Sequence, residues 1–174
     1  SLGIFYATMT SFLGFKPGED EYKVMGLAPY GKPNVDLSFF CKPAKHGYKS
    51  DNAYFRTRRS ATQYEPYYSH KLVERIGEAR RNGQALSEHY KNLAASTQDV
   101  LEKCVLSQVT HLYSLTKNSN LCLAGGVALN CSANHLISKL PFIKRFFVQP
   151  AASDRGLALG CALYAAAKNN EKLK

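Results

Sequence analysis

The sequence predicts an α/β fold, rich in helix, with a short sheet and one long scaffold helix. Two observations lead there. Residues 121–124 are a short apolar run, Gly125 and Gly126 follow at once, and residues 127–140 read as a helix. Residues 145–148 (RFFV) read as a second strand, and a further helix runs to about Lys168, capped by Ser153 or Asp154. Residues 121–168 thus form a strand–helix–strand–helix unit, one right-handed parallel crossover with a helix beyond it. The second observation is the periodicity of residues 85–117. Leu86, Tyr90, Leu93, Thr97, Val100, Leu101, Cys104, Val105, Gln108, Leu112 and Leu115 recur at threes and fours and line one face. Unbroken, that helix spans about 50 Å and packs on a sheet. It lacks the heptads and flanking charges of a coiled coil.

The other elements follow in order. Residues 2–13 are apolar and aromatic nearly all round and predict a buried helix ended by Gly14. Residues 16–20 are a loop, and residues 21–28 form a short helix broken by the prolines at 29 and 33. Residues 34–83 are the least regular part and read as an insertion. Within them, residues 37–41 and 53–56 predict a hairpin with its turn over 47–52. Residues 70–79 are helical, with a break at 81–83. Gly156 and Gly160 sit four apart on the last helix, where small residues allow close packing. Residues 169–174 form a polar, frayed tail.

Composition narrows the partners. The chain has 174 residues, 45% hydrophobic, enough for one domain or one lobe of a larger one. No apolar run approaches the ~20 residues of a membrane span. Residues 1–15 lack a basic leader and a cleavage site. A start at Ser1 rather than Met reads as a processed or trimmed piece. The net charge of +10 favours anionic partners such as nucleotides, phosphorylated substrates, nucleic acid or an acidic neighbouring domain. Lys42, Lys45, Lys49, Arg56, Arg58 and Arg59 alternate with Tyr48, Tyr54, Phe55 and Tyr64, as in a single-strand nucleic-acid groove. No RNP-like or OB-like pattern accompanies them, so a solvated insertion with its aromatics on the core is the preferred reading. Cys41, Cys104, Cys122, Cys131 and Cys161 are odd in number and not in CxxC spacing, and four lie in apolar segments. That predicts buried thiols in a reducing compartment, the cytoplasm. His46, His70, His89, His111 and His135 pair with neither each other nor a cysteine at ligand spacing, which argues against zinc.

The chemistry gathers after residue 124. A strand running through glycines into a helix N-terminus makes an anion site, because a ligand can approach the bare backbone and meet free N–H groups. Asn130, in the opening turns, can reach the same ligand. For a bare pair of glycines, a simple turn of the chain is the preferred reading. Glu21 and Lys23 read either as a solvated face or as a site-facing pair, and Asp154 as a plain N-cap.

Three segments together carry a resemblance. They are SLGIFYATMTSFLGFKPGEDEYKVMGLAPYG (1–31), LCLAGGVALNCSANHLI (121–137) and VQPAASDRGLALGCALY (148–164). They resemble the O-carbamoyltransferases of the NodU/CmcH type, which carbamoylate nodulation factors and antibiotics. More distantly, they are similar to the enzymes that make threonylcarbamoyladenosine on tRNA. The resemblance implies one lobe, residues 1–174, of an actin/Hsp70/sugar-kinase-like (ribonuclease H-like) domain. It implies a carbamoyl-adenylate, made from carbamoyl phosphate and ATP, whose carbamoyl group passes to a substrate hydroxyl. Gly125 and Gly126 match glycines that approach the adenylate, and Asn130 matches the asparagine of GGVxxN that contacts the nucleotide. Asp154 of SDRG matches an aspartate that binds a divalent metal, iron or another transition metal. Glu21 and Lys23 match an E-x-K segment lining the same cleft. The family's other metal ligands are histidines spaced HxxxH, and no HxxxH occurs in this chain. The resemblance thus places those histidines, the N-terminal lobe and the adenylate-forming domain outside it. The chain alone is expected to be inactive, and to self-associate through the surface its partner lobe would cover. The competing expectations are a non-catalytic nucleotide-binding or regulatory module and a nucleic-acid module.

Overall fold

The computed structural model describes residues 1–56 and 66–169. Arg58, Arg59, Tyr64 and the tail beyond residue 169 lie outside the described residues. The architecture is α/β and helix-rich, with two separate two-stranded sheets. Helix α1 (Leu2–Phe12) starts at a Ser1 cap whose side chain accepts the Ile4 amide, and it is buried nearly all round. Phe5, Met9, Phe12 and Leu13 are wholly enclosed. Its buried threonines return their hydroxyls to the helix, Thr8 to the Ile4 carbonyl and Thr10 to that of Tyr6, so they cost little in the core. Helix α2 (Glu21–Leu27) runs into a 3₁₀ turn, Ala28–Tyr30.

The hairpin differs from expectation. Its strands are β1 (Cys41–Ala44) and β2 (Gly47–Ser50), paired antiparallel with Ala44 opposite Gly47. The turn is Lys45–His46, because Gly47 takes a φ of 119° that suits only glycine. Residues 37–40 and 52–54 are turns instead, and Phe40, Tyr54 and Phe55 form an aromatic cluster with Phe5. Tyr48, Tyr54 and Phe55 therefore pack on the core while Lys42, Lys45 and Lys49 stay exposed. Helix α3 (His70–Ile76) stops earlier than expected, at Gly77, whose φ is 92°.

Helix α4 (Glu88–Thr116) is the scaffold, 29 residues and unbroken. It packs against α1, α2, the Ala28–Tyr30 turn and the hairpin, rather than chiefly on the parallel sheet. Residues 93–98 are buried on every side, small Ala94, Ala95 and Ser96 included, so that stretch is a central rod and not one apolar stripe. Leu86 lies ahead of the helix and is exposed, as are Leu112 and Leu115 toward its end.

Strands β3 (Asn120–Leu123) and β4 (Arg145–Val148) pair in parallel, Leu121 opposite Phe146. Helix α5 (Cys131–Ser138) lies between them in the chain, and α6 (Leu157–Lys168) follows. Helix α6 has no buried residue; Leu157 is 68% exposed and Tyr164 71%. Only Cys41 and Cys104 are buried thiols. Cys122 sits on the open face of the two-stranded sheet, Cys131 at the start of α5 and Cys161 on α6, all exposed. The apolar pattern around them signals a buried face, but nothing among the described residues covers it. No helix among the described residues is long and apolar enough to cross a membrane.

Candidate functional site

Parallel pairing puts the carboxyl ends of β3 and β4 side by side. The loops leaving those ends are the glycine pair and residues 149–153. They are joined directly: the Gly125 N–H donates to the Ala152 carbonyl at 2.6 Å. Ligands of open α/β sheets bind at such carboxyl ends. Gly125 has a φ of 95°, a conformation that excludes most side chains, and an added Cβ at Gly125 or Gly126 would meet nothing within 4 Å. The backbone there is bare and open.

The helix expected immediately after the glycines is interrupted. Gly126–Leu129 is a 3₁₀ turn, and the α-helix begins only at Cys131. The cause is Asn130, which takes an extended conformation and caps α5 by accepting the Ala133 amide at 2.9 Å. An α-helical dipole therefore does not stand directly behind the glycines. What remains is local: the amides of Gly126 and Val127 have no acceptor among the described residues. Two adjacent free N–H groups on open backbone can hold an anionic oxygen.

Asn130 is itself 8% exposed. Its Nδ2 donates to Gln98 Oε1, and its Oδ1 accepts from Gln98 Nε2, both at 2.9 Å. Gln98 also accepts the Tyr6 hydroxyl at 2.8 Å and donates to Glu102 Oε1 at 2.7 Å. Burial, then the negative charge of Glu102, holds the Tyr6 phenol far above its ordinary range, with Glu21 adding in the same direction. The Cys131 thiol lies 3.7 Å from the Met25 sulfur, which ties the start of α5 to α2. A groove of ≈ 410 Å³ opens beside this network, lined by Glu102, Cys131, Ser132, His135 and Leu136.

The two α2 charges separate in role. Glu21 accepts the Gly18 amide at 2.7 Å and its charge is felt at Tyr6. Lys23 is exposed and pairs with Asp20 at 2.9 Å, near the rings of Phe15 and Tyr22. Asp154 opens a 3₁₀ turn, Asp154–Gly156, two residues beyond Ala152. It is exposed and makes no cap, contrary to the plain N-cap reading; helix α6 starts three residues later, behind Gly156. No three His, Cys, Asp or Glu side chains converge as a metal site among the described residues.

Comparison with known proteins decides the family. The family described as Carbamoyltransferase N-terminus matches residues 1–163. The chain belongs to that family. This carbamoyltransferase-family chain is 39% identical over 164 residues to nodulation protein NolNO of Sinorhizobium fredii, covering 94% of the chain and 22% of NolNO. It is 37% identical over 170 residues to nodulation protein NolO of Bradyrhizobium diazoefficiens, covering 94% of the chain and 28% of NolO. It is 40% identical over 168 residues to the uncharacterized protein sll1178 of Synechocystis, covering 94% of the chain and 27% of that protein. It spans about a quarter of the length of these relatives.

The sequence singles out Gly125, Gly126, Asn130, Glu21, Lys23 and Asp154; Tyr6, Gln98, Glu102, Cys131 and His135 come into view only through the contacts and the groove around Asn130. A signal existed for two of them: Gln98 and Glu102 are four apart on α4 and so share one side of that helix.

Proposed function

We propose that this chain is the nucleotide-binding part of an ATP-dependent O-carbamoyltransferase domain, built as one lobe of an actin/Hsp70/sugar-kinase-like fold. The observation behind the proposal is the Gly125–Ala152 hydrogen bond, which joins the glycine loop to the loop of Asp154. A phosphate oxygen of ATP, and then of carbamoyl-adenylate, sits on the Gly126 and Val127 amides, where fixed donors favour negative charge. The nucleoside lies in the groove between α4 and α5, within reach of Glu102, Ser132 and His135. Asn130 and Glu21 act on the nucleotide in this reading through the network beside that groove, where the Asn130 amide is bonded to Gln98 and to Tyr6 and the Glu21 charge is felt at Tyr6. Lys23, exposed and tied to Asp20, contributes positive charge toward the anionic nucleotide in this reading.

Asp154 fits one ligand of a divalent metal, because its carboxylate is exposed and not consumed by capping. Two histidines with one carboxylate is a recognised iron set, and the histidines are supplied from outside this chain. Such a metal, when bound, polarises the carbamoyl carbonyl. Carbamoyl phosphate and the hydroxyl acceptor enter from the side of the remaining domains, and a sugar-containing or natural-product acceptor is what the NodU/CmcH resemblance implies.

The test is ATP binding by calorimetry to wild type and to Gly126→Val. The added side chain enters open space, so folding is retained and circular dichroism stays unchanged. Affinity is expected to fall at least tenfold. Equal affinity in the two proteins overturns the glycine-loop site. Submicromolar ATP and metal binding by the chain alone would overturn the expectation that it needs its missing partners.

A further inference from the structure

The hairpin lies along α4, and its contacts run in step with the helix. Cys41 faces Cys104, with the sulfurs 3.9 Å apart. The Ala44 carbonyl accepts the Ser107 hydroxyl at 2.9 Å. A Cβ added at Gly47 would come within 3.5 Å of Gln108 Cγ. At the tip, His46 of the turn meets His111 of α4, ring centroids 4.7 Å apart and planes at 62°. These are the two histidines that sequence spacing separates, being 65 residues apart by their numbers. His46 is exposed and His111 half-buried, so solvent and ions reach both.

We propose that His46 and His111 form a two-imidazole site for a borderline divalent transition metal of the zinc class, remote in role from carbamoyl transfer. With metal–nitrogen bonds of ~2.0–2.1 Å, a ring centroid lies roughly 3.2 Å from its metal. Two neighbouring ligands at about 90–110° then hold their centroids roughly 4.5–5.2 Å apart. The observed separation falls inside that range. The rings meet edge to face, so binding requires the exposed His46 ring to turn until one nitrogen of each imidazole faces a common ion. Gln108, one turn before His111 and beside the tip, offers an amide oxygen as a further donor, and water completes the shell. Imidazole nitrogen selects zinc, nickel or copper over magnesium and calcium, which require oxygen ligands. The bound ion fastens the hairpin tip to the scaffold helix, and because it binds only the folded arrangement it stabilises the fold.

Zinc titration of wild type, His46→Asn, His111→Asn and the double variant tests this, followed by calorimetry and thermal melting. The exposed thiols are alkylated first, and magnesium serves as the control ion. In wild type the melting midpoint rises with zinc and not with magnesium. Each single variant lowers zinc affinity at least tenfold and abolishes the rise, and the double variant is no worse than either, since one lost ligand already dismantles the site. Copper bound to wild type shows coupling to two nitrogens in its paramagnetic resonance spectrum. The same zinc response in all four proteins, or losses that simply add, overturns the site and leaves His46–His111 as a ring contact.

Discussion

The carboxamide of Asn130 accepts the Ala133 amide and exchanges two hydrogen bonds with Gln98, which in turn holds Tyr6 of α1 and Glu102 of α4. One side chain thereby starts α5 and locks it to the scaffold helix. Removing it takes away a cap and strips a buried partner from Gln98. Asn130→Ala is expected to cost about 2–3 kcal/mol in urea denaturation, the sum of a lost cap and a part-orphaned amide. A loss below about 1 kcal/mol would mean water replaces the network. The sequence placed Asn130 near the ligand from its distance to the glycines. Its partner Gln98 is 32 residues away, and no local pattern links them.

At the scale of elements, the segment from α2 through its 3₁₀ turn shows how two glycines five positions apart, Gly26 and Gly31, can have opposite roles. A Cβ on Gly31 would lie 2.1 Å from the Lys91 carbonyl, because the chain lies flat against α4 there. The Lys32 amide reaches Asn92 Oδ1 at 2.7 Å just beyond, and the Val35 amide reaches Ser96 Oγ at 3.0 Å. The Gly31 backbone is extended and suits any residue, so space alone demands glycine. Gly31→Ala should destabilise by at least ~1–3 kcal/mol through overpacking. Gly26, inside α2 with open space around it, should gain up to about 1 kcal/mol as alanine. Thermal melting of the pair checks both signs, and a harmless Gly31→Ala would show that the turn is free to move off α4. The short helices, the long helix and both parallel strands were legible from periodicity. The hairpin was shifted because its turn depends on Gly47, and the aromatic residues that suggested strand in fact fill the core under a turn.

Across the whole molecule, burial is uneven. The core around α1 and the middle of α4 is closed, whereas α6 and the outer face of the β3–β4 sheet present Leu157, Leu159, Leu163, Tyr164 and Phe147 to solvent. Large apolar side chains left exposed on a helix and a sheet face favour association. Concentration-dependent self-association is expected in light scattering, and a clean monomer at high concentration would refute it. Leu159→Lys with Leu163→Lys should lower that association without lowering the melting midpoint, since neither side chain contributes to the core.

Sequence alone determined the α/β class, the scaffold helix, the strand–glycine–helix order and the carbamoyltransferase resemblance, because each rests on short-range periodicity or on contiguous motifs. Tertiary structure decided which of those residues meet. It joined the glycine loop to that of Asp154, closed Asn130 around Gln98, set His46 against His111 and left α6 uncovered. Those outcomes depend on contacts between residues far apart in the chain, which no local pattern records.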